Sequence, residues 1–232
     1  MEQIYTIVIN EAFEKSANEA ASCPFCAIRD KFEKDELDLI LGASMMEPDV
    51  RIKTNELGFC RAHSEKMLRA GKKLPFALLL ESHMAEVSEL MRINKLMPSK
   101  SAKGSANSIG ELSRSCYVCD RIGSKFRQVL SNAVYMWTSD AEFRSLFSKQ
   151  KCFCLPHYAE LVKCASEELK KNDFCSFANT VRQMEDIYVS RVRENLSFFI
   201  KKFDYRYENE PWGDAKDAVE KTVAVLNGTG ES

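Results

Sequence analysis

Four short stretches hold the residues with the most chemistry to offer. Cys23-Pro-Phe-Cys26 and Cys116-Tyr-Val-Cys119 are Cys-x-x-Cys pairs, and Cys60-Arg-Ala-His63 and Cys154-Leu-Pro-His157 are Cys-x-x-His pairs. A tetrahedral ion such as zinc needs four ligand atoms at roughly 2.0–2.3 Å. Two ligands separated by two residues converge on one ion from a turn or from the first turn of a helix, where positions i and i+3 share a face. The N-terminus of a helix also favours thiolate, because free N–H groups and the helix dipole stabilise negative charge. With nine cysteines in 232 residues, a given histidine has a cysteine three positions before it by accident about 4% of the time; here two of the three histidines do.

The stretches recur in order. Between Cys26 and Cys60 lie 33 residues, and between Cys119 and Cys154 lie 34. "IRDKF" follows the first Cys-x-x-Cys and "IGSKF" the second, and Phe59 and Phe153 each precede the third cysteine of their half. This reads as an internal duplication. It predicts two Cys3His sites: Cys23, Cys26, Cys60 and His63 in the first half, and Cys116, Cys119, Cys154 and His157 in the second. Zn²⁺, two per chain, is the expected cofactor, with an iron–sulfur cluster as the minority alternative.

The elements that must position these ligands read as helical. Only nine glycines and six prolines interrupt the chain, against a many-turned β fold. "IYTIVI" is the one strand-like stretch and is expected to be an extended arm packed on helices. Ser22 is the expected cap and Pro24 the first turn of a helix closed by Gly42. Short helices follow, closed by Gly58 and Gly71, then a long one over 74–97 with Phe76, Leu80, His83, Val87 and Leu90 on one stripe. "PSKSAKGSANSIG" reads as a linker. Beyond it come helices over "CYVCDRIGSKFRQVLSNAVYMW", "SDAEFRSLF" with Ser139 as cap, and "LPHYAELVKCASEELKK". A long helix from about Asp173 to about Tyr205 then carries Phe177, Val181, Met184, Tyr188, Val192, Phe199 and Phe203. The tail turns at Pro211 into a last short helix. The expected fold is all-α: two homologous metal-stapled helical units, 1–97 and 113–205, joined by a linker at 98–112, each ending in a long helix and packed into one body, with a tail at 206–232.

Composition narrows the function. The chain carries 33 basic and 34 acidic residues, so no overall field draws it to nucleic acid or membrane. The opening segment lacks the charge pattern of a secretion signal, and no apolar run approaches a membrane span. A cytoplasmic setting is expected, in which thiols stay reduced and act as ligands or core residues. Among the remaining candidates, Cys164 and Cys175 are expected as small core residues and His83 as a packed flank histidine. Cys152 is a possible competitor for the place of Cys154, though only Cys154 keeps the spacing of the first half. Lys72-Lys73, Lys170-Lys171 and Lys201-Lys202 are expected on solvated faces. "FDYRYENEPW", spanning 203–212, is either helix-end packing or a docking surface for a protein partner.

"IYTIVINEAFEK", "CPFC", "MEPDVRIKTNELGFCRAH", "CYVCDRI", "CFCLPHY" and "FDYRYENEPWGDAKDAV" together resemble the bacterial family DUF6062 over nearly the whole chain. That resemblance implies the metal motif and a bacterial cytosolic setting, and no activity. The leading expectation is therefore a zinc-binding, non-enzymatic structural or interaction protein. No nucleotide loop, serine elbow or carboxylate–histidine zinc signature is present. The alternative is a redox- or metal-responsive regulator working through zinc thiolate or Fe–S chemistry. Nucleic-acid binding is a weaker third reading, disfavoured by the neutral charge and the long spacer.

Overall fold

The computed structural model describes residues 3–18, 23–93 and 96–229, and these contain helices and no strand. The α-helices are α1 (Gln3–Asn18), α2 (Pro24–Ile40), α3 (Pro48–Leu57), α4 (Arg61–Arg69), α5 (Lys73–Leu90), α6 (Pro98–Leu112), α7 (Tyr117–Ser139), α8 (Ala141–Ser148), α9 (Leu155–Glu168), α10 (Lys171–Lys201) and α11 (Ala218–Asn227). The expected all-α class is therefore met.

The described chain divides into two compact units. Residues 1–30 and 126–231 form one, and residues 31–125 form the other. In the discontinuous unit an aromatic core dominates. Phe13 lies 5.4 Å from Phe25 edge-on, 5.1 Å from Phe143 and 5.8 Å from Phe147, and Phe153 packs 5.3 Å from both Phe25 and Phe147. Such pairs add about 0.5–1.5 kcal/mol each beyond area burial. The contiguous unit is built on Ile40, Leu41, Met67, Phe76, Leu79, Tyr117, Val118 and Ile122. Within it Glu36, 1% exposed, is neutralised by Lys125 at 2.7 Å and Arg121 at 3.5 Å.

Several local expectations are corrected. "IYTIVI" is not an extended arm but part of α1. Ile9, Phe13 and Ser16, spaced i, i+4 and i+7, are all buried, and this tertiary burial overrides the β propensity of the opening residues. Residues 98–112, expected as a linker, form α6, with Pro98 in its first turn and no buried residue. Asp140, not Ser139, caps α8, its carboxylate accepting the N–H groups of Glu142 and Phe143. The predicted cap Ser22 lies outside the described residues. The helix expected over 74–97 ends at Leu90, which is itself exposed. Gly58 does close α3, at φ 57°, a left-handed conformation that favours glycine. A Cβ there would also meet His83 Nε2 at 2.6 Å. His83 is the packed flank histidine anticipated, its Nδ1 2.7 Å from the Asn55 carbonyl.

One carboxylate of α10 is buried without full satisfaction. Glu185 is 6% exposed; Oε1 accepts the Phe153 N–H at 2.5 Å, while Oε2 is buried with no hydrogen-bond partner among the described residues. Burial pushes this carboxyl up to about 7, against the pull of the Phe153 N–H. The folded chain thus keeps a proton there that the unfolded chain, at the ordinary 4.5, has lost. Stability from this group is full below about pH 4.5 and falls as pH rises to about 7. Glu185→Gln should abolish about 3 kcal/mol of that dependence, read as the difference between wild-type and variant urea titrations at pH 5 and pH 8.

Candidate metal centres

All four ligand pairs begin helices. Cys60 and Cys154 hold extended backbone at the N-caps of α4 and α9, with His63 and His157 in the first turns. Cys23 and Cys116 immediately precede α2 and α7, with Cys26 and Cys119 in the first turns. This is the arrangement the two-residue spacing requires for convergence on one point.

The pairs meet in an order the spacing did not suggest. Cys23 and Cys26 gather with Cys154 and His157, and Cys60 and His63 gather with Cys116 and Cys119. The expected grouping within each half is therefore corrected: the same eight residues assemble, but the two Cys-x-x-His pairs are exchanged. The first and last pairs make an outer site in the discontinuous unit, and the two middle pairs make an inner site in the contiguous unit. Hydrogen bonds that involve no ligand side chain hold this pairing. Ser115 Oγ donates to the Leu57 carbonyl at 2.8 Å and the Tyr117 N–H to the Gly58 carbonyl at 3.0 Å, laying the start of α7 beside the start of α4.

The ligand atoms of each group all lie within 4.8 Å of one another, as a tetrahedral shell requires. At the outer site His157 Nδ1 lies 3.6, 3.4 and 3.1 Å from the sulfurs of Cys23, Cys26 and Cys154, and Cys26 Sγ is 3.6 Å from Cys154 Sγ. At the inner site His63 Nδ1 lies 3.2, 3.3 and 3.4 Å from Cys60, Cys116 and Cys119, and Cys60 Sγ is 3.9 Å from Cys119 Sγ. Four ligands at zinc bond lengths leave edges of about 3.8 Å between sulfurs and about 3.5 Å between sulfur and nitrogen. Both groups therefore have the size of a shell around one ion, and both present Nδ1.

The surroundings of the two sites differ. All four outer ligands are buried. His157 packs 4.9 Å from Phe126 and 6.1 Å from Phe25. Residues 228–229, just past α11, lie against the sulfurs: the Thr229 N–H donates to Cys26 Sγ at 3.5 Å. Gly228 comes so near that a Cβ would meet Cys26 Sγ at 3.2 Å. Burial, then Cys154 and Cys26, holds the Cys23 thiol well above its ordinary range, whereas hydrogen bonds from Cys154 and Cys23 lower Cys26. Burial opposes charge on His157, but Cys154 and Cys26 outweigh it and raise the imidazole to about 9. At the inner site His63 and Cys116 are buried, Cys60 is half-buried and Cys119 is exposed. Burial, then Cys116 and Cys60, pushes Cys119 up to about 12. A cation bound at either group would displace the protons that Cys23 and Cys119 hold this way.

Glu33 was not anticipated. Its Oε1 lies 2.9 Å from His63 Nε2, and Lys66 Nζ holds the same carboxylate at 2.8 Å. A carboxylate on the far nitrogen fixes the tautomer that leaves Nδ1 free to ligate. Nothing in the spacing marks Glu33 among the charged residues of α2. Glu33→Ala should weaken metal at the inner site about 10–100-fold and leave the outer site unchanged, measured by competition with a chromogenic chelator. Gly228 was also missed, although a glycine just past an amphipathic helix is a recognisable end signal.

Cys152 is not in either group. It is buried against Tyr188, Val192 and Val225, and burial followed by the charge of Glu185 pushes its thiol up to about 12. Cys152→Ala should therefore retain two ions per chain by elemental analysis, and Cys154→Ala no more than one. Cys164 is half-buried and Cys175 exposed, so neither is the core residue expected. Burial, then Glu168, pushes Cys164 up to about 12.

No curated protein and no solved structure matches the chain. A family model does: the family of unknown function DUF6062 matches residues 1–232. The chain that carries these two exchanged Cys3His groups belongs to that family.

Proposed function

We propose that the chain is a zinc-binding, non-enzymatic structural and interaction protein in which each Cys3His group holds one Zn²⁺ as a permanent clip. The observation that carries this reading is the tetrahedral spacing of four protein ligand atoms in each group. A zinc with four protein ligands has no open position for a catalytic water or a substrate carbonyl. An iron–sulfur cube needs its cysteine sulfurs several ångströms further apart than 3.6–3.9 Å. Three thiolates stay competent only where disulfides do not form, which favours a cytoplasmic setting; no described helix is long and apolar enough to cross a membrane.

The recurrence of both pair types supports an ancestral duplication whose copies exchanged their second pairs, the intramolecular equivalent of domain swapping. The interaction role rests on the segment 203–212. Lys202, expected on a solvated face, instead donates to the carbonyls of Tyr207, Glu208 and Glu210 at 2.6–2.8 Å and sits 5.2 Å over the Trp212 ring. The turn held this way leaves Phe203 78% and Tyr205 84% exposed, as aromatic anchors of a protein interface would be.

Elemental analysis of the purified chain with an absorption spectrum tests the metal reading. About two zinc per chain and no visible band is the expected result. Iron with inorganic sulfide, or a chain devoid of metal, would overturn it.

A further inference from the structure

The two sites share a ligand set, and their access to solvent differs. The outer sulfurs are all buried, Cys26 accepts a backbone N–H from Thr229, and Gly228 lies against Cys26 and Cys154. An oxidant must open the discontinuous unit to reach them. At the inner site Cys119 is an exposed residue and Cys60 a half-buried one, and the sulfurs of these two, the least buried residues of the eight, are 3.9 Å apart. Thiolate oxidation is selected by access and by a nearby resolving thiol, and a disulfide forms here after an approach of only about 2 Å.

Resting on the zinc reading above, we propose that the inner site is a peroxide-responsive release site and the outer site a permanent staple. The oxidant class is a hydroperoxide. The Cys119 thiolate attacks one peroxide oxygen; the O–O bond breaks, hydroxide leaves, and the sulfur becomes a sulfenic acid. The Cys60 thiolate then displaces hydroxide from that sulfur and the S–S bond forms. The two sulfurs lose two electrons and the peroxide gains them, and two protons from solvent turn the hydroxides into water. Zinc, left with Cys116 and His63 alone, dissociates.

The test uses the full chain loaded with two zinc ions, titrated with hydrogen peroxide in the presence of a chromogenic zinc chelator. Peptide mass spectrometry follows at each dose. One zinc per chain should leave first, together with a Cys60–Cys119 linkage, and the second should need on the order of tenfold more peroxide. Dithiothreitol with added zinc should restore the first. Cys119→Ser should abolish the low-dose linkage, and Cys175→Ser, which removes an exposed thiol outside both sites, should leave the profile intact. Two ions that leave at one dose, or a first linkage among Cys23, Cys26 and Cys154, would overturn the proposal while the zinc reading stands. A chain without zinc before peroxide is added would overturn both.

Discussion

If each group binds zinc as proposed, a fragment ending at residue 97 should hold it far more weakly than the whole chain, although it contains Cys23, Cys26, Cys60 and His63. A fragment of residues 31–125 should keep one ion. The reason is the exchanged pairing: the first fragment has one half of each site, and the second has the whole inner site within its own compact unit. Two ligands in place of four cost on the order of a thousandfold or more in affinity, since metal binding is tied to closure of the folded site. Isothermal titration with zinc under reducing conditions, with circular dichroism of each fragment, decides the matter. Tight stoichiometric binding by 1–97 would mean that ligands within each half pair after all.

The second large effect is expected at the outer site. His157→Ala removes a ligand and leaves a void between Phe126 and Phe25. Loss of the ion strands three buried thiols, and the void adds its own cost. Together these should lower stability by on the order of 5 kcal/mol, a large part of the 5–15 kcal/mol of an ordinary domain. Urea denaturation should show the discontinuous unit melting early, and on the proposed zinc reading the metal content should fall by one ion per chain. The matched change His63→Ala, at a site with an exposed ligand, should cost less. Equal losses at the two sites would contradict the difference in burial.

The ligand residues and the helical class were legible because both follow from local spacing. Cys-x-x-Cys and Cys-x-x-His are i, i+3 pairs, and the buried stripe Phe177–Val181–Tyr188–Val192 repeats at helical period. What was not legible is which pair meets which. Proximity along the chain favours partners 33 and 34 residues away, whereas the observed closures join Cys26 to Cys154 across 128 positions and His63 to Cys116 across 53. Loop entropy grows only logarithmically, so the longer closures cost about 1–2 kcal/mol more in total. Packing of Phe153 and Phe25 in one core and of Tyr117 beside Gly58 in the other outweighs that difference. The opening "IYTIVI" misled for a similar reason. Its residue types favour a strand, while the helix it belongs to is anchored further along by Phe13, which packs on Phe143 and Phe147, more than a hundred residues later. Glu33 carries no mark until His63 is placed beside it.

The nesting of one site inside the other has a consequence for biosynthesis. As the chain leaves the ribosome, Cys23 and Cys26 emerge 128 positions or more before Cys154 and His157, and at about 5–20 residues per second they wait roughly 6–26 seconds. The first acceptor to appear in that interval is Cys60 with His63, the wrong one. On the proposed zinc reading, metal captured early by that combination would have to be surrendered before the last helices arrive, and maturation would then depend on ligand exchange on a nascent polypeptide.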